Sequence, residues 1–158
     1  MFMLLLMNIV CKAQQDKRKT ITKHKMTVSW YFKGDKIYFE MSAPTHGWVT
    51  IGFNSKAGTT GAYLLMGNIN DGKVNLVEHY TKSPGNYFPM SKLGIETRVE
   101  IVEGVEQSRQ TTITFTLPVS SVHNYQKDLS EGKAYYMIMA YSLEDDFQHH
   151  SVMRTSVK

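Results

Sequence analysis

The chain has 158 residues, 42% of them hydrophobic and 20% charged, which suits one ordinary globular domain and excludes a disordered or low-complexity segment. Eighteen basic against fourteen acidic residues leave a net charge of +4, and the basic residues are scattered apart from Lys17, Arg18 and Lys19 and the pair Lys23 and Lys25. No long basic tract is interleaved with aromatics, so the charge reads as solubility and no nucleic-acid partner is expected.

The first ten residues, MFMLLLMNIV, are apolar but too short to span a bilayer. Small residues at Cys11 and Ala13 place a cleavage site before Gln14. Residues 1–13 therefore read as a signal peptide without its charged start, and the chain as exported to the periplasm, the cell surface or the medium. The competing reading is an N-terminal strand packed on the core. Cys11 is the single cysteine, so a chain cleaved after Ala13 has no disulfide framework. Residues 14–25 are polar and read as a mobile lead-in to a domain over 26–158.

From Met26 onward, short apolar runs are broken by turn signals at sandwich spacing. MTVSWYFK over 26–33 is rich in β-branched and aromatic residues, and Gly34-Asp35 turns it into 36–42, where Ile37, Phe39 and Met41 share one face. In WVTIGFN over 48–54, Val49, Ile51 and Phe53 point one way and Trp48, Thr50 and Gly52 the other. Residues 55–61 are a loop by composition. AYLLMGNI over 62–69 is apolar enough for burial on both faces, and Asn70-Asp71-Gly72 turns it into a partner over 73–81. Residues 83–92 hold Pro84, Gly85 and Pro89 and read as a loop. Strands follow over 98–103 and 110–117, ended by Pro118. Residues 119–132 read as irregular with one short helix, 133–141 as a buried strand, and 151–157 as the last strand. The sum is an all-β, antiparallel β-sandwich of about nine or more strands in an immunoglobulin-like, Greek-key arrangement, with a closed barrel as the runner-up.

No nucleophile elbow, phosphate loop or dinucleotide fingerprint is present, and there is no cysteine pair or H-x₃-H pair for zinc. The chain is therefore not expected to be an enzyme. Asp145-Asp146 reads as a solvated turn. His24, His79 and His123 read as surface or strand-face residues, and His46 as a loop residue able to border a pocket mouth. Adjacent His149 and His150 would point to opposite faces of a strand, so one at most enters an interior; the plainer reading is two exposed histidines in a polar loop. Met41, Met66, Met137 and Met139 read as core packing.

Gly47-Trp48-Val49-Thr50-Ile51-Gly52-Phe53 resembles the GW-hydrophobic-GF signature of DOMON domains. Gly61-Ala62-Tyr63 through Gly67 resembles that family's next strand, and His150 to Arg154 its closing H-x₃-R motif. The resemblance, over roughly 26–158, implies a sandwich that holds a small ligand between its sheets and serves beside a redox enzyme or membrane cytochrome. Cytochrome members bind haem b through a loop methionine and a histidine near the C-terminus. Carried over, the histidine that would ligate haem iron is His150. Thr59 stands where the methionine is expected, and Tyr63 replaces the family's aspartate. Met66 lies close by on the strand. Two functions stay open: a haem-b module for electron transfer, with Trp48, Thr59, Tyr63, Met66 and His150 as binding residues, or a non-haem module for a sugar or a protein partner that has lost the methionine ligand. In the second, Trp48 and Tyr135 supply stacking surfaces.

Overall fold

The structure, a computed structural model, describes residues 17–158. The leader read over 1–13 lies outside the described residues. Eleven strands follow in chain order: β1 Lys19–Lys23, β2 Met26–Lys33, β3 Lys36–Ala43, β4 Val49–Asn54, β5 Tyr63–Asn70, β6 Lys73–Ser83, β7 Asn86–Pro89, β8 Glu100–Gln107, β9 Gln110–Pro118, β10 Tyr136–Tyr141 and β11 Met153–Val157. The only helical element among the described residues is a 3-10 turn at Met90–Leu93, so none is long and apolar enough to cross a membrane.

The strands form two antiparallel sheets in the orders β1-β2-β3-β9-β8 and β11-β10-β4-β5-β6-β7. The chain crosses between them after β3, after β7 and after β9. Neither sheet closes, so the architecture is a sandwich and not a barrel. The alternation of β3 holds: Ile37, Phe39 and Met41 are buried between the sheets and Lys36, Tyr38 and Glu40 are only half covered. Phe39 meets Phe115 on its own sheet at 5.5 Å between ring centroids and Phe53 from the other sheet at 5.6 Å. β4 and β5 are buried along almost their whole length on both faces.

Three regions differ from the sequence reading. The polar stretch over 14–25 contains β1, paired to β2 through His24 and Lys25, which both take positive φ (47° and 68°). Residues 83–92 are not all loop, because Gly85 at φ 75° returns the chain as the edge strand β7, with Pro89 tolerated at its end. Residues 119–132 contain turns and no helix. They are held by Leu129, whose N–H donates to Val119 O at 2.7 Å, and by Gln126, which donates from Nε2 to Glu78 Oε2 at 3.2 Å.

That Glu78 is the polar centre of the inner space. It is 3% exposed and accepts from Tyr63 Oη at 2.8 Å, Thr97 Oγ1 at 3.1 Å and the Val99 N–H at 3.0 Å, and also from the Arg98 N–H. A buried carboxylate is tolerated when its lone pairs are this fully used. Burial, then the nearby Glu78 charge, pushes the Tyr63 phenol well above its ordinary range.

Candidate functional site: a strapped recess on the outer face of the six-stranded sheet

Side chains directly opposed on antiparallel strands share a face. Register therefore lays out the outer face of the six-stranded sheet in rows. One row runs Arg154, Ala140, Thr50, Met66 and Val77; the next runs Ser156, Ile138, Gly52, Leu64, His79 and Pro89. Trp48, Ala62, Leu64, Met66, Ile138 and Ala140 form a buried apolar cluster here, separate from the core between the sheets, and Tyr87 and Phe147 pack onto it. A Cβ on Gly52 would lie 2.4 Å from Leu64 Cδ2, so the bare glycine lets Leu64 lie flat on this floor.

Residues 143–152 cross above the floor as a strap. Its root is pinned by hydrogen bonds from the Trp48 N–H to Glu144 O (3.0 Å) and from the Ser142 N–H to Trp48 O (2.9 Å). Farther along, Asn68 Nδ2 donates to Asp145 O at 2.6 Å, Tyr87 Oη donates to Phe147 O, and Ser142 Oγ donates to His150 O at 3.0 Å. Under the strap, the edges of Tyr87 and Phe147 flank His79 at 5.8 and 5.6 Å between centroids. His79 Nδ1 lies 3.1 Å from Val77 O, a contact that requires the proton on Nδ1. Burial, the largest influence on this ring, lowers its pKa from the ordinary 6.5 and keeps it neutral.

Between strap and floor lies a recess of about 90 Å³. Trp48, Thr59, Met66 and His150 all line it, although they span a hundred residues of chain. Tyr63 does not join them. It stands next to Leu64 and therefore on the opposite face of β5, where its hydroxyl serves Glu78. Tyr135 is also elsewhere, beside Phe53 at 6.3 Å between the sheets. The recess that gathers these residues is thus outside the sandwich and not between its sheets, because strand parity turns Trp48, Thr50 and Gly52 away from the core that Val49, Ile51 and Phe53 enter. His149 and His150 both line the recess, since they sit in a turn rather than on a pleated strand, and both are exposed. The Asp145-Asp146 pair lies in the same segment, where Asp146 is exposed and its O accepts from the His149 N–H at 2.9 Å. Asp145 is not the solvated residue expected: it is half-buried, its Oδ1 has no hydrogen-bond partner in the protein, and burial raises its pKa.

Sequence reasoning did not place Thr81, Tyr87, His79 or Phe147 here. Two buried polar atoms of the lining, Trp48 Nε1 and Thr81 Oγ1, have no hydrogen-bond partner in the protein. The groups that a ligand would meet here are the His150 imidazole, the Met66 thioether, the Trp48 indole N–H, the Thr81 hydroxyl and the Arg154 guanidinium. Among the described residues, no group of three or more His, Cys, Asp or Glu side chains converges as a site for a bare metal ion.

The DOMON domain family model matches residues 22–142. Among solved structures, the chain is similar to the cytochrome b domain of pyranose dehydrogenase from Coprinopsis cinerea, with 9% identity and a TM-score of 0.66 over 84% of this chain and 74% of that one. It is also similar to the cytochrome domain of cellobiose dehydrogenase from Myriococcum thermophilum, with 10% identity and a TM-score of 0.52 over 81% of this chain and 69% of that one. No curated protein sequence matches.

Proposed function

The chain belongs to the DOMON domain family, and from that premise we propose that it is a ligand-carrying module, not an enzyme, whose seat is the strapped recess and whose ligand is haem b, used to exchange electrons with a redox enzyme or membrane cytochrome. The observation that carries this reading is the convergence of Trp48, Met66 and His150, with Thr59 at the rim, on one recess. The likeness to cytochrome domains of two dehydrogenases supports it.

The donor set fits the group. The exposed His150 on the strap would offer an imidazole to iron, and Met66, buried in the floor, a thioether; haem proteins use both residue types as iron ligands. The Thr59 hydroxyl is not such a ligand. Trp48, Leu64 and Ile138 give an apolar bed, and Arg154, at the end of the Met66 row, places a cation for a propionate carboxylate. When bound, haem supplies a one-electron couple tuned by its axial ligand and burial. Room for it requires the strap to swing away, since 90 Å³ is below the roughly 300 Å³ of ordinary ligand pockets. The strap is held by a handful of hydrogen bonds and most of its residues are exposed, which marks a low-stability segment.

Visible absorption during haem titration of the purified protein tests the proposal. A saturable Soret band at low micromolar haem, lost in His150→Ala and altered in Met66→Leu, is expected. A chain with no titratable band is not a haem module.

A second reading, a non-haem module for a sugar or a protein partner, is favoured by the small volume and by Thr59. The unpartnered indole N–H and Thr81 hydroxyl suit sugar hydroxyls. It predicts a colourless protein and sugar-dependent quenching of Trp48. We further propose that the chain acts after export, supported by the pattern over 1–13. Mass spectrometry of the mature protein should show an N-terminus at Gln14, and retention of the leader would overturn this.

A further inference from the structure

A second cavity lies between the sheets, where the edge strands β1 and β11 face each other at the open side of the sandwich. It measures about 240 Å³. Its depth is apolar and largely aromatic: Trp30 and Phe39 oppose each other on β2 and β3, Phe53 comes across from β4, and Met137 from β10. Tyr135 closes one side, its ring edge-on to Phe53 at 6.3 Å and its hydroxyl donating to Asp128 O at 2.7 Å. The mouth differs sharply from the depth. Lys19 and Lys133 stand around it, and the described residues that line the cavity include no acidic side chain. Register pairs Lys19 with Trp30, so Lys19 points to the inner side of its sheet, beside the apolar wall. Lys133 is exposed and lies 3.6 Å from Asp128, a weak surface pair that an anion can displace; the Lys158 ammonium turns away from the mouth, over the Tyr136 ring at 5.8 Å on the outer side of the sheet.

We propose that this slot is a binding site for an amphipathic carboxylate, with a compact alkyl or aryl body buried against Trp30, Phe39 and Phe53 and its carboxylate held at the mouth by Lys19 and Lys133. Size and charge select this class. The cavity exceeds the ~150 Å³ that holds a benzene and is smaller than the roughly 300 Å³ of pockets for larger ligands. It therefore takes one ring or a short chain, with the head left in water. A cationic head would meet the Lys19 and Lys133 ammonium groups, and a neutral one would leave them unused. The site is independent of the recess, because β4 and β10 separate the two. An inward lysine on an edge strand also guards against strand addition; that role needs no cavity and gives no ligand binding, so binding distinguishes the two.

The experiment is titration of the full chain with octanoate, followed by calorimetry and amide chemical shifts, with octylammonium and octanol as matched probes. Saturable octanoate binding is expected, with shifts at Phe53, Ala134 and Met137, and with octylammonium not binding. Lys19→Glu with Lys133→Glu should weaken octanoate about tenfold, since each exposed ion pair contributes roughly 0.2–1 kcal/mol and both are reversed. Ala134→Trp, on the exposed rim, should block the slot, and neither change should alter a Soret band of the recess. Binding that does not saturate, that octylammonium matches, or that survives both lysine reversals would overturn the assignment.

Discussion

Replacing Gly47 by alanine should unfasten the strap at its root. The glycine of the GW pair is not required by its backbone angle but by space: a Cβ there would lie 2.5 Å from Glu144 N and 2.6 Å from both Glu144 O and the Leu143 carbonyl carbon. These obstacles are backbone atoms and cannot rotate away. They belong to the segment that exchanges the Trp48 N–H to Glu144 O and Ser142 N–H to Trp48 O bonds at 3.0 and 2.9 Å. Overpacking of this kind costs about 1–3 kcal/mol, and each stretched hydrogen bond adds roughly 0.5–1.5 kcal/mol. A total of roughly 2–6 kcal/mol corresponds to a fall in Tm of roughly 4–24 °C for a chain of this size. Thermal unfolding followed by circular dichroism reads the shift, and hydrogen exchange should show the Trp48 and Ser142 amides losing protection first. Gly34→Ala is the control: no atom lies within 4 Å of its Cβ, and only its φ of +60° is at issue, for a cost of about 1–2 kcal/mol. A Gly47→Ala protein no less stable than Gly34→Ala would refute the steric argument.

Tyr63→Phe removes one donor from the buried Glu78 and should cost about 1.5–3 kcal/mol of stability while leaving haem titration unchanged. His150→Ala, at an exposed position, should do the reverse, abolishing the band with a stability change within about 0.5 kcal/mol. His79 has a folded pKa below its ordinary 6.5 because of burial. The unfolded chain therefore takes up a proton first as the pH falls, and denaturant midpoints should decline on going below about 6.5, down to the folded pKa. His79→Phe should flatten that slope, and an unchanged slope would place its origin elsewhere. Gly52→Ala raises a methyl against Leu64 Cδ2 at 2.4 Å and Tyr63 O at 3.0 Å, so Leu64 should be driven into the recess and haem affinity should fall by roughly tenfold or more for a loss of about 1.4 kcal/mol.

Strand parity made much of the fold legible. Ile37, Phe39 and Met41, and Val49, Ile51 and Phe53, name their faces without any structure. Parity also failed where both faces are covered. The first half of β5 is apolar and buried on both faces, so nothing in AYLLM says whether Tyr63 or Leu64 looks into the sandwich, and the motif's order alone put Tyr63 at the site. β1 went unread because its turn uses His24 and Lys25 at positive φ, with no glycine to announce it. The burial of His79 was invisible for another reason: its cover comes from Tyr87 on β7 and Phe147 on the strap, contacts that only the tertiary fold creates. The recess was half legible for the same cause. The GW signature and the H-x₃-R motif supplied Trp48, His150 and Arg154, while the orphaned Thr81 hydroxyl carried no sequence signal.

The six-stranded sheet is a partition, and this explains how the site can change without the fold changing. Along β4 every second residue belongs to the inner core, which β3 and β9 complete from the other sheet, and the intervening residues belong to the recess. A residue at the recess rim such as Thr59 is half exposed and in a loop, so exchanging it alters the recess without opening a cavity in the core. The inner residue Phe53 has no such freedom, because it packs with Phe39 and Tyr135 and walls the lysine-rimmed slot. The lining of the outer recess is thereby free to change independently of stability, and the recess and the inner slot, one on each side of β4 and β10, are free to change independently of each other.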